Sequence, residues 1–214
     1  MTQQRIELLS VVQNRISPLA PKPVTGDLLP FTALSAPDAQ PNDLIVIFHC
    51  RHQPLPQLSA PSPQEIILLS PEPHPELGTH IAIQEGSHWA LIDALLYVWL
   101  VELDSSPFDH HFIQQHVYGF AAEQAPANNE LPWLSEADSY RGYLLGWPDA
   151  KPKTAEWAAK LTGLESSQIR ALALTLAEAK TLRVVTADPA LQQAQLLPLL
   201  RGHFRSPPLT AHSA

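Results

Sequence analysis

Apolar residues occur along this chain in two patterns: short continuous runs and longer runs with helical spacing. The continuous runs are residues 43–49 (DLIVIFH) and 64–70 (QEIILLS), with a weaker one at 79–84 (THIAIQ). Residues 181–188 (TLRVVTAD) are a fourth strand candidate. Short runs rich in β-branched residues are typical of strands that are buried on both faces of a sheet. The pattern therefore predicts about three to four strands.

The other apolar residues recur at the spacing of a helix. Ser87 is predicted to cap a long core helix that ends near Leu103, and further helices are predicted at 107–117, near 136–145 and near 189–201. An amphipathic N-terminal helix is also expected, on the apolar residues Ile6, Leu9, Val12 and Ile16.

Residues 152–180 carry the start signals of two helices. Thr154 is predicted to cap the first helix and Gly163 to end it, since a threonine hydroxyl accepts from first-turn amides and glycine favours the left-handed conformation found after many helices. Ser166 or Ser167 is predicted to cap the second helix, whose apolar face consists of Ile169, Leu172, Ala173 and Leu176. None of these side chains is reactive, so the segment by itself indicates packing.

The order of the elements predicts an α/β fold with a short, mostly parallel sheet of about three to four strands and a helical cluster. Residues 1–42 are expected to form an N-terminal helix and a proline-rich linker, residues 43–205 the α/β domain, and residues 206–214 a disordered tail. Parallel strands are usually joined by a crossover helix, but four prolines between residues 50 and 63 are incompatible with one. We therefore expect that this connection has lost its helix.

Composition argues against several classes of function. The 214-residue chain has a formal net charge of −8 and no basic run, so neither nucleic acid nor an anionic membrane is an expected partner. Its single cysteine, Cys50, rules out an internal disulfide and a cysteine-based zinc or iron–sulfur site. The most apolar segment, 89–103, is too short to span a bilayer and contains two carboxylates. A cytoplasmic protein without membrane insertion is therefore expected.

Five segments between residues 43 and 186 form an ordered set. They are DLIVIF, EIILLSP, QEGSHWALIDALLYVWLVEL, FDHHFIQQHVYGF and YLLGWPDAKPKTAEWAAKLTGLESSQIRALA. Together they resemble the dimethyl sulfoxide reductase family of molybdopterin oxidoreductases, in its trimethylamine-N-oxide and biotin sulfoxide reductase branch. The last segment, which is about thirty residues long, carries most of the resemblance.

The resemblance implies that residues 43–205 are a truncated middle α/β domain of such an enzyme. Members of the family hold molybdenum between two pterin-guanine dinucleotides. The upstream portion that supplies a Ser, Cys or Asp ligand to the metal is expected to be absent from this chain, as is the C-terminal domain that closes over the second dinucleotide.

The loops that the resemblance assigns to the cofactor have changed. The glycine-containing loop after the first strand of the family is replaced by residues 49–51, and the nucleotide-binding Asp after the second strand is Ser70. The family's Pro-Gly-Thr-Asp loop keeps its glycine and a hydroxyl, but its Asp is His88. The resemblance thus gives four vestigial cofactor-binding candidates and no catalytic or metal-binding residue. The candidates are Ser70, Gly86, Ser87 and His88.

Other polar patterns are weaker. The sequence HCRH at 49–52 offers two imidazoles and a thiol just after a strand, but a metal site needs three or four convergent ligands, and the alternative is a loop that fills a former cofactor cleft. The pair Gly86–Ser87 could bind an anion through backbone amides or form a plain helix cap. His111 and His116 are five residues apart and do not share a helical face, which indicates solvated surface.

The tryptophans Trp89, Trp99, Trp147 and Trp157 are predicted to pack the helical cluster.

Three functional hypotheses follow. The first is a shortened, non-catalytic relative that serves as a scaffold or interaction module in a redox complex, with another protein subunit as its partner and no cofactor. The second is a component of an active S- or N-oxide reductase-type enzyme, which binds molybdopterin guanine dinucleotide together with a chain that carries the metal ligand. The third is a small-ligand binder that reuses the cleft at 49–52, 70–72 and 86–88.

Overall fold

The computed structural model describes residues 5–7, 28–30, 44–51, 65–74, 77–122, 134–186 and 193–203. These residues contain seven strands. They are β1 (Arg5–Glu7), β2 (Leu28–Pro30), β3 (Leu44–Phe48), β4 (Glu65–Ser70), β5 (Thr79–Ala82), β6 (Val117–Tyr118) and β7 (Leu182–Thr186). The described part of the chain also contains six α-helices. They are α1 (His88–Tyr97), α2 (His110–His116), α3 (Tyr140–Leu144), α4 (Ala155–Thr162), α5 (Ser166–Glu178) and α6 (Leu196–Leu200).

The principal sheet has four parallel strands in the order β5-β4-β3-β7. The central strand β3 aligns Leu44 with Glu65 of β4 on one side and with Leu182 of β7 on the other. Because side chains alternate along a strand, Val46 and Phe48 lie on one face and Ile45 and Ile47 on the other, and all four are fully buried. The predicted α/β class and the predicted burial on both faces are confirmed.

The helical cluster packs on the face that carries Val46 and Phe48. Helix α1 is the central element of this cluster, and it continues as a π-helical turn, Val98–Glu102, before the chain becomes extended at Leu103. This end agrees with the prediction. Helix α1 packs against α4 and α5, which covers the sheet on that side.

The capping predictions for the two helices of 152–180 are confirmed for α4 and wrong by one residue for α5. Thr154 Oγ1 accepts the amide of Trp157 at 3.1 Å, and Gly163 ends α4 in the left-handed region with φ 77°. The cap of α5 is Glu165, not a serine. It forms a reciprocal capping box with Gln168, so two amides at the helix start are satisfied where a serine cap would satisfy one.

A second, smaller parallel sheet has the strand order β2-β1-β6. Residues 5–7 form strand β1, so the predicted N-terminal helix is wrong for these residues. Ile6 aligns with Leu29 on one side and with Val117 on the other. In the strand, the backbone N–H and C=O groups of these residues bond to β2 and β6, so the segment does not need the hydrogen bonds that a helix would form within itself. Strand β2 likewise lies within the predicted linker, while residues 8–27, the connection 52–64 and the tail 206–214 lie outside the described residues.

The tryptophans differ in burial. Trp99 is fully buried, and its Nε1 donates to Ala173 O at 2.8 Å. Trp89 and Trp157 are half-buried and meet edge to face with ring centroids 5.5 Å apart. Trp147 is 56% exposed, so its predicted packing is wrong. It follows Gly146 in a turn, and its backbone amide, not its ring, is engaged, by Gly142 O at 3.0 Å.

No helix within the described ranges is both long and apolar enough to cross a membrane.

Candidate functional site

The candidate site lies where the carboxyl ends of β3, β4 and β5 meet the start of α1. We call this region the carboxyl edge and define it as residues 49–51, 70–74 and 80–88. Parallel strands bring their carboxyl ends to one side of a sheet, which is where open α/β folds bind ligands. Ser70, at the end of β4, aligns with Ala82 of β5, and His49 N donates to Leu69 O at 3.0 Å. The sheet therefore brings all four sequence candidates to one edge.

Ser70 is fully buried at this edge. Its hydroxyl donates to the carbonyl oxygen of Glu72, and the amide of Glu72 donates back to Ser70 Oγ at 3.2 Å. His80 Nε2 donates to Ser70 O at 3.1 Å and lies 3.5 Å from Ser70 Oγ. The serine thus closes the turn after β4 instead of presenting its hydroxyl to solvent.

His88 is also fully buried, at the first position of α1. Its Nε2 donates to the carbonyl oxygen of His49 at 3.0 Å, and its ring lies 6.2 Å from the ring of Phe48. His49 is itself buried, and its ring meets the ring of His74 edge-on at 5.3 Å. The imidazole of His88 therefore joins the start of α1 to the residue that follows β3.

Charged side chains join the outer part of the same edge. Arg51 Nε lies 2.8 Å from Glu72 Oε1, and Arg51 N donates to Glu85 Oε2 at 3.2 Å. Both partners of the ion pair are about half exposed, so its contribution to stability is small, about 0–1 kcal/mol. It nevertheless ties the segments after β3 and β4 to each other.

Gly86 and Ser87 behave differently from the other two candidates. Gly86 is exposed with φ 75°, and a Cβ at this position would meet no atom within 4 Å. Ser87 is buried and occupies the predicted cap position, but its hydroxyl donates to Gln84 O at 2.6 Å and does not accept an amide of α1. The part of the edge with open space is therefore at Gly86.

The described residues contain no group of three or more His, Cys, Asp and Glu side chains arranged to hold a metal ion. His52 of the HCRH sequence lies outside them. On α2, His111 is exposed and contacts Gln115 at 3.1 Å, whereas His116 is half-buried and stacks on Phe112 at 4.6 Å. The two histidines do not form one site.

Sequence reasoning did not predict the contacts of two buried polar side chains. Asp93 of α1 is buried and accepts the hydroxyls of Tyr140 at 2.6 Å and Tyr143 at 2.9 Å. Lys153 is also buried, with Nζ 2.8 Å from Asp149 Oδ2 and 4.5 Å from the centre of the Tyr143 ring. The signal for Asp93 was a carboxylate inside the apolar run 89–103, since a buried carboxylate needs hydrogen-bond donors.

Part of this chain is similar to several reductases of known function. No protein-family model matches it. Dimethyl sulfoxide reductase of Escherichia coli is 31% identical over 101 residues, which are 47% of this chain and 11% of that protein. Trimethylamine-N-oxide reductase of Salmonella typhimurium is 32% identical over 102 residues, 48% of this chain and 10% of that protein. Biotin sulfoxide reductase of Cereibacter sphaeroides is 43% identical over 60 residues, 28% of this chain and 8% of that protein.

A solved structure supports the fold over a longer part of the chain. Acetylene hydratase from Pelobacter acetylenicus matches with a TM-score of 0.50 and 14% identity, and the match covers 75% of this chain and 21% of that one. At this identity the match shows the fold alone. By contrast, the segment of this chain that aligns with the dimethyl sulfoxide and trimethylamine-N-oxide reductases spans only about a tenth of the length of those proteins.

Proposed function

We propose that this chain, about half of which is related to molybdopterin oxidoreductases of the dimethyl sulfoxide reductase family, acts as a non-catalytic scaffold or interaction module in a redox complex. Its partner would be another protein subunit. In this proposal the four cofactor-binding candidates are remnants of a nucleotide site, and the segments that pack the sheet and helices have been retained.

The observation that carries the proposal is the hydrogen bond from His88 Nε2 to His49 O. The resemblance puts an Asp where His88 stands, and a carboxylate there could accept donors from a nucleotide. The imidazole instead donates inward to the protein backbone, and its side chain is fully buried. Ser70 stands in the place of a second Asp, and it too bonds inward, to Glu72 O. Both side chains therefore use their polar atoms within the protein.

A second function deserves testing because of Gly86. This residue keeps a positive φ, and open space lies next to it, so a phosphate could approach the backbone there. In that case the chain would contribute one wall of a site for molybdopterin guanine dinucleotide. The metal ligand would come from another chain, as in the second hypothesis above.

The test is to purify the full chain from its native host with whatever accompanies it and to measure molybdenum, tungsten and guanine-type pterin. A scaffold is expected to be free of metal and pterin and to purify with a defined partner. Metal and pterin at near-equal ratio to the chain would overturn the scaffold and favour the second function.

A matched pair of variants separates the two outcomes at the level of single residues. Gly86→Asn adds a side chain where the structure has open space, and asparagine tolerates the left-handed φ of 75° at this position, whereas Gly78→Asn adds a Cβ that would lie 2.6 Å from Ile66 O. If the chain contributes a cofactor wall, Gly86→Asn lowers the pterin content with little loss of stability. A scaffold keeps its partner in the Gly86→Asn variant and loses it only when the fold is damaged, as Gly78→Asn is expected to do.

A further inference from the structure

We infer that two carboxylates of the chain itself close the carboxyl edge to phosphate-bearing ligands, as an autoinhibitory contact. The carboxylates are those of Glu72 and Glu85, and both bond to Arg51. The inference rests on the proposed function in one respect, since it gives a physical reason why the edge of a scaffold would not bind a nucleotide.

The first step is the place of Arg51 in the fold. The strands β3, β4 and β5 follow one another in one direction across the sheet, whereas β7 lies on the other side of β3. The strand order therefore reverses at β3, and open α/β folds bind ligands outside the carboxyl ends of the strands at such a reversal. Arg51 follows β3 by three residues, which places its backbone amide at this position.

The second step is what the donors of Arg51 already hold. Its Nε lies 2.8 Å from Glu72 Oε1, and its backbone amide donates to Glu85 Oε2 at 3.2 Å. A phosphate would use the same donors, because guanidinium groups and backbone amides form charge-assisted hydrogen bonds with carboxylate and phosphate oxygens alike. Both donors are therefore in contact with anionic oxygens of the chain itself.

The third step is the space and the charge at the same point. Gly86 directly follows Glu85, and a Cβ on this glycine would meet no atom within 4 Å, so there is room for a ligand beside the carboxylate. A like charge about 4 Å away in water weakens the binding of an anion about fivefold. Two carboxylates at the edge are thus expected to weaken the binding of a phosphate about 30-fold.

The experiment measures the binding of inorganic pyrophosphate to the folded full-length chain by isothermal titration calorimetry. It is done without divalent metal and at one low ionic strength, because salt screens charges at the surface. The edge variant, Glu72→Ala with Glu85→Ala, is expected to lower the Kd about 30-fold relative to the parent. The control, Asp104→Ala with Glu178→Ala, removes two exposed carboxylates elsewhere and makes the same change in net charge. Its Kd is expected to stay close to that of the parent.

A further variant identifies the donor. Arg51→Ala, added to the edge variant, removes the guanidinium and is expected to reverse most of the gain in affinity. Far-UV circular dichroism checks the fold of each variant. If the edge variant does not fold, Glu85→Ala alone takes its place, with an expected gain of about fivefold.

Three results would overturn the inference. The first is a parent chain that binds pyrophosphate as tightly as the edge variant, since the edge would then not be closed. The second is an equal gain in the control variant, which would show an effect of net charge alone. The third is a gain that survives Arg51→Ala, since the anion would then bind elsewhere. The second and third results leave the proposed function standing, whereas metal and pterin on the chain from its native host contradict the scaffold whatever the calorimetry gives.

Discussion

Arg201 is expected to stabilise the fold more than any exposed ion pair near it, although none of its described hydrogen bonds is to a carboxylate. It follows α6, and its guanidinium donates to the carbonyl oxygens of Leu176 at 2.6 Å, Ala177 at 3.0 Å and Ala179 at 2.6 Å. Leu176 and Ala177 lie in the last turn of α5 and Ala179 is its C-cap residue, a region where the last carbonyls of a helix have no partner within the helix. The guanidinium carbon also lies 6.0 Å from the centre of the Trp99 ring.

The magnitude follows from the number and kind of these bonds. A hydrogen bond that involves a charged group contributes about 1.5–3 kcal/mol, and a cation at a helix C-terminus contributes about 0.3–1 kcal/mol more. The three bonds share one side chain and are not additive, so Arg201→Ala is expected to lower the free energy of unfolding by about 2–4 kcal/mol. Burial lowers the pKa of Arg201, but an arginine remains charged throughout the working range of pH.

Two matched variants isolate the cause. Arg201→Lys keeps the charge but replaces the planar fork by a single ammonium, so it is expected to restore only part of the loss. Arg170→Ala removes an arginine of α5 that pairs with Glu102 and Glu156, each at 2.6 Å, but is 39% exposed. Exposed pairs contribute about 0–1 kcal/mol. The assay is equilibrium unfolding in urea, followed by tryptophan fluorescence and circular dichroism. A loss in Arg170→Ala equal to or larger than that in Arg201→Ala would refute the reasoning.

Three further predictions concern other parts of the helical cluster. Tyr143→Phe deletes a hydroxyl that donates to buried Asp93 and is expected to cost about 1–3 kcal/mol in urea unfolding. Trp99→Ala is expected to cost about 3–5 kcal/mol, since this ring is fully buried, whereas Trp147→Ala is expected to stay within about 0.5 kcal/mol of the parent. The hydrogen bond from Arg170 lowers the pKa of Glu156 in the folded protein. The ionised carboxylate therefore stabilises the fold at a pH above the pKa that Glu156 has in the unfolded chain. This contribution is lost as the pH falls through the lower pKa of the folded state. Glu156→Gln is therefore expected to reduce the loss of stability below about pH 4.5.

Each of these has a contrary outcome. An unchanged stability of Tyr143→Phe would mean that the hydroxyl is not a significant donor to the carboxylate. Equal losses in the two tryptophan variants would contradict the assigned burial. An acid profile in Glu156→Gln that matches the parent would show that the ion pair with Arg170 does not contribute in solution.

Local signals were sufficient for much of the fold. Buried strands have few alternatives when five successive residues are apolar, so residues 44–48 could be predicted without tertiary information, and the β-branched residues of 182–186 also favoured a strand. Thr154 and Gly163 were equally predictable, because a cap depends on the side chain and the backbone conformation of one residue. The order of the elements then predicted the α/β class, and the five ordered segments indicated the similarity to the reductases.

Other features depend on residues that are distant in the chain, and these the sequence did not determine. The apolar spacing around Ile6 predicts a helix, but Ile6 lies in a strand that aligns it with Leu29 and with Val117, which no local pattern specifies. The same holds for His88 and Ser70. Their residue types suggested an altered cofactor site, but only the packing of α1 against the end of β3 decided that the imidazole donates to a backbone carbonyl 39 residues away. The position of a residue in the helical or strand repeat determines the face on which its side chain lies. Its hydrogen-bond partner, in contrast, depends on which distant segments the fold brings together.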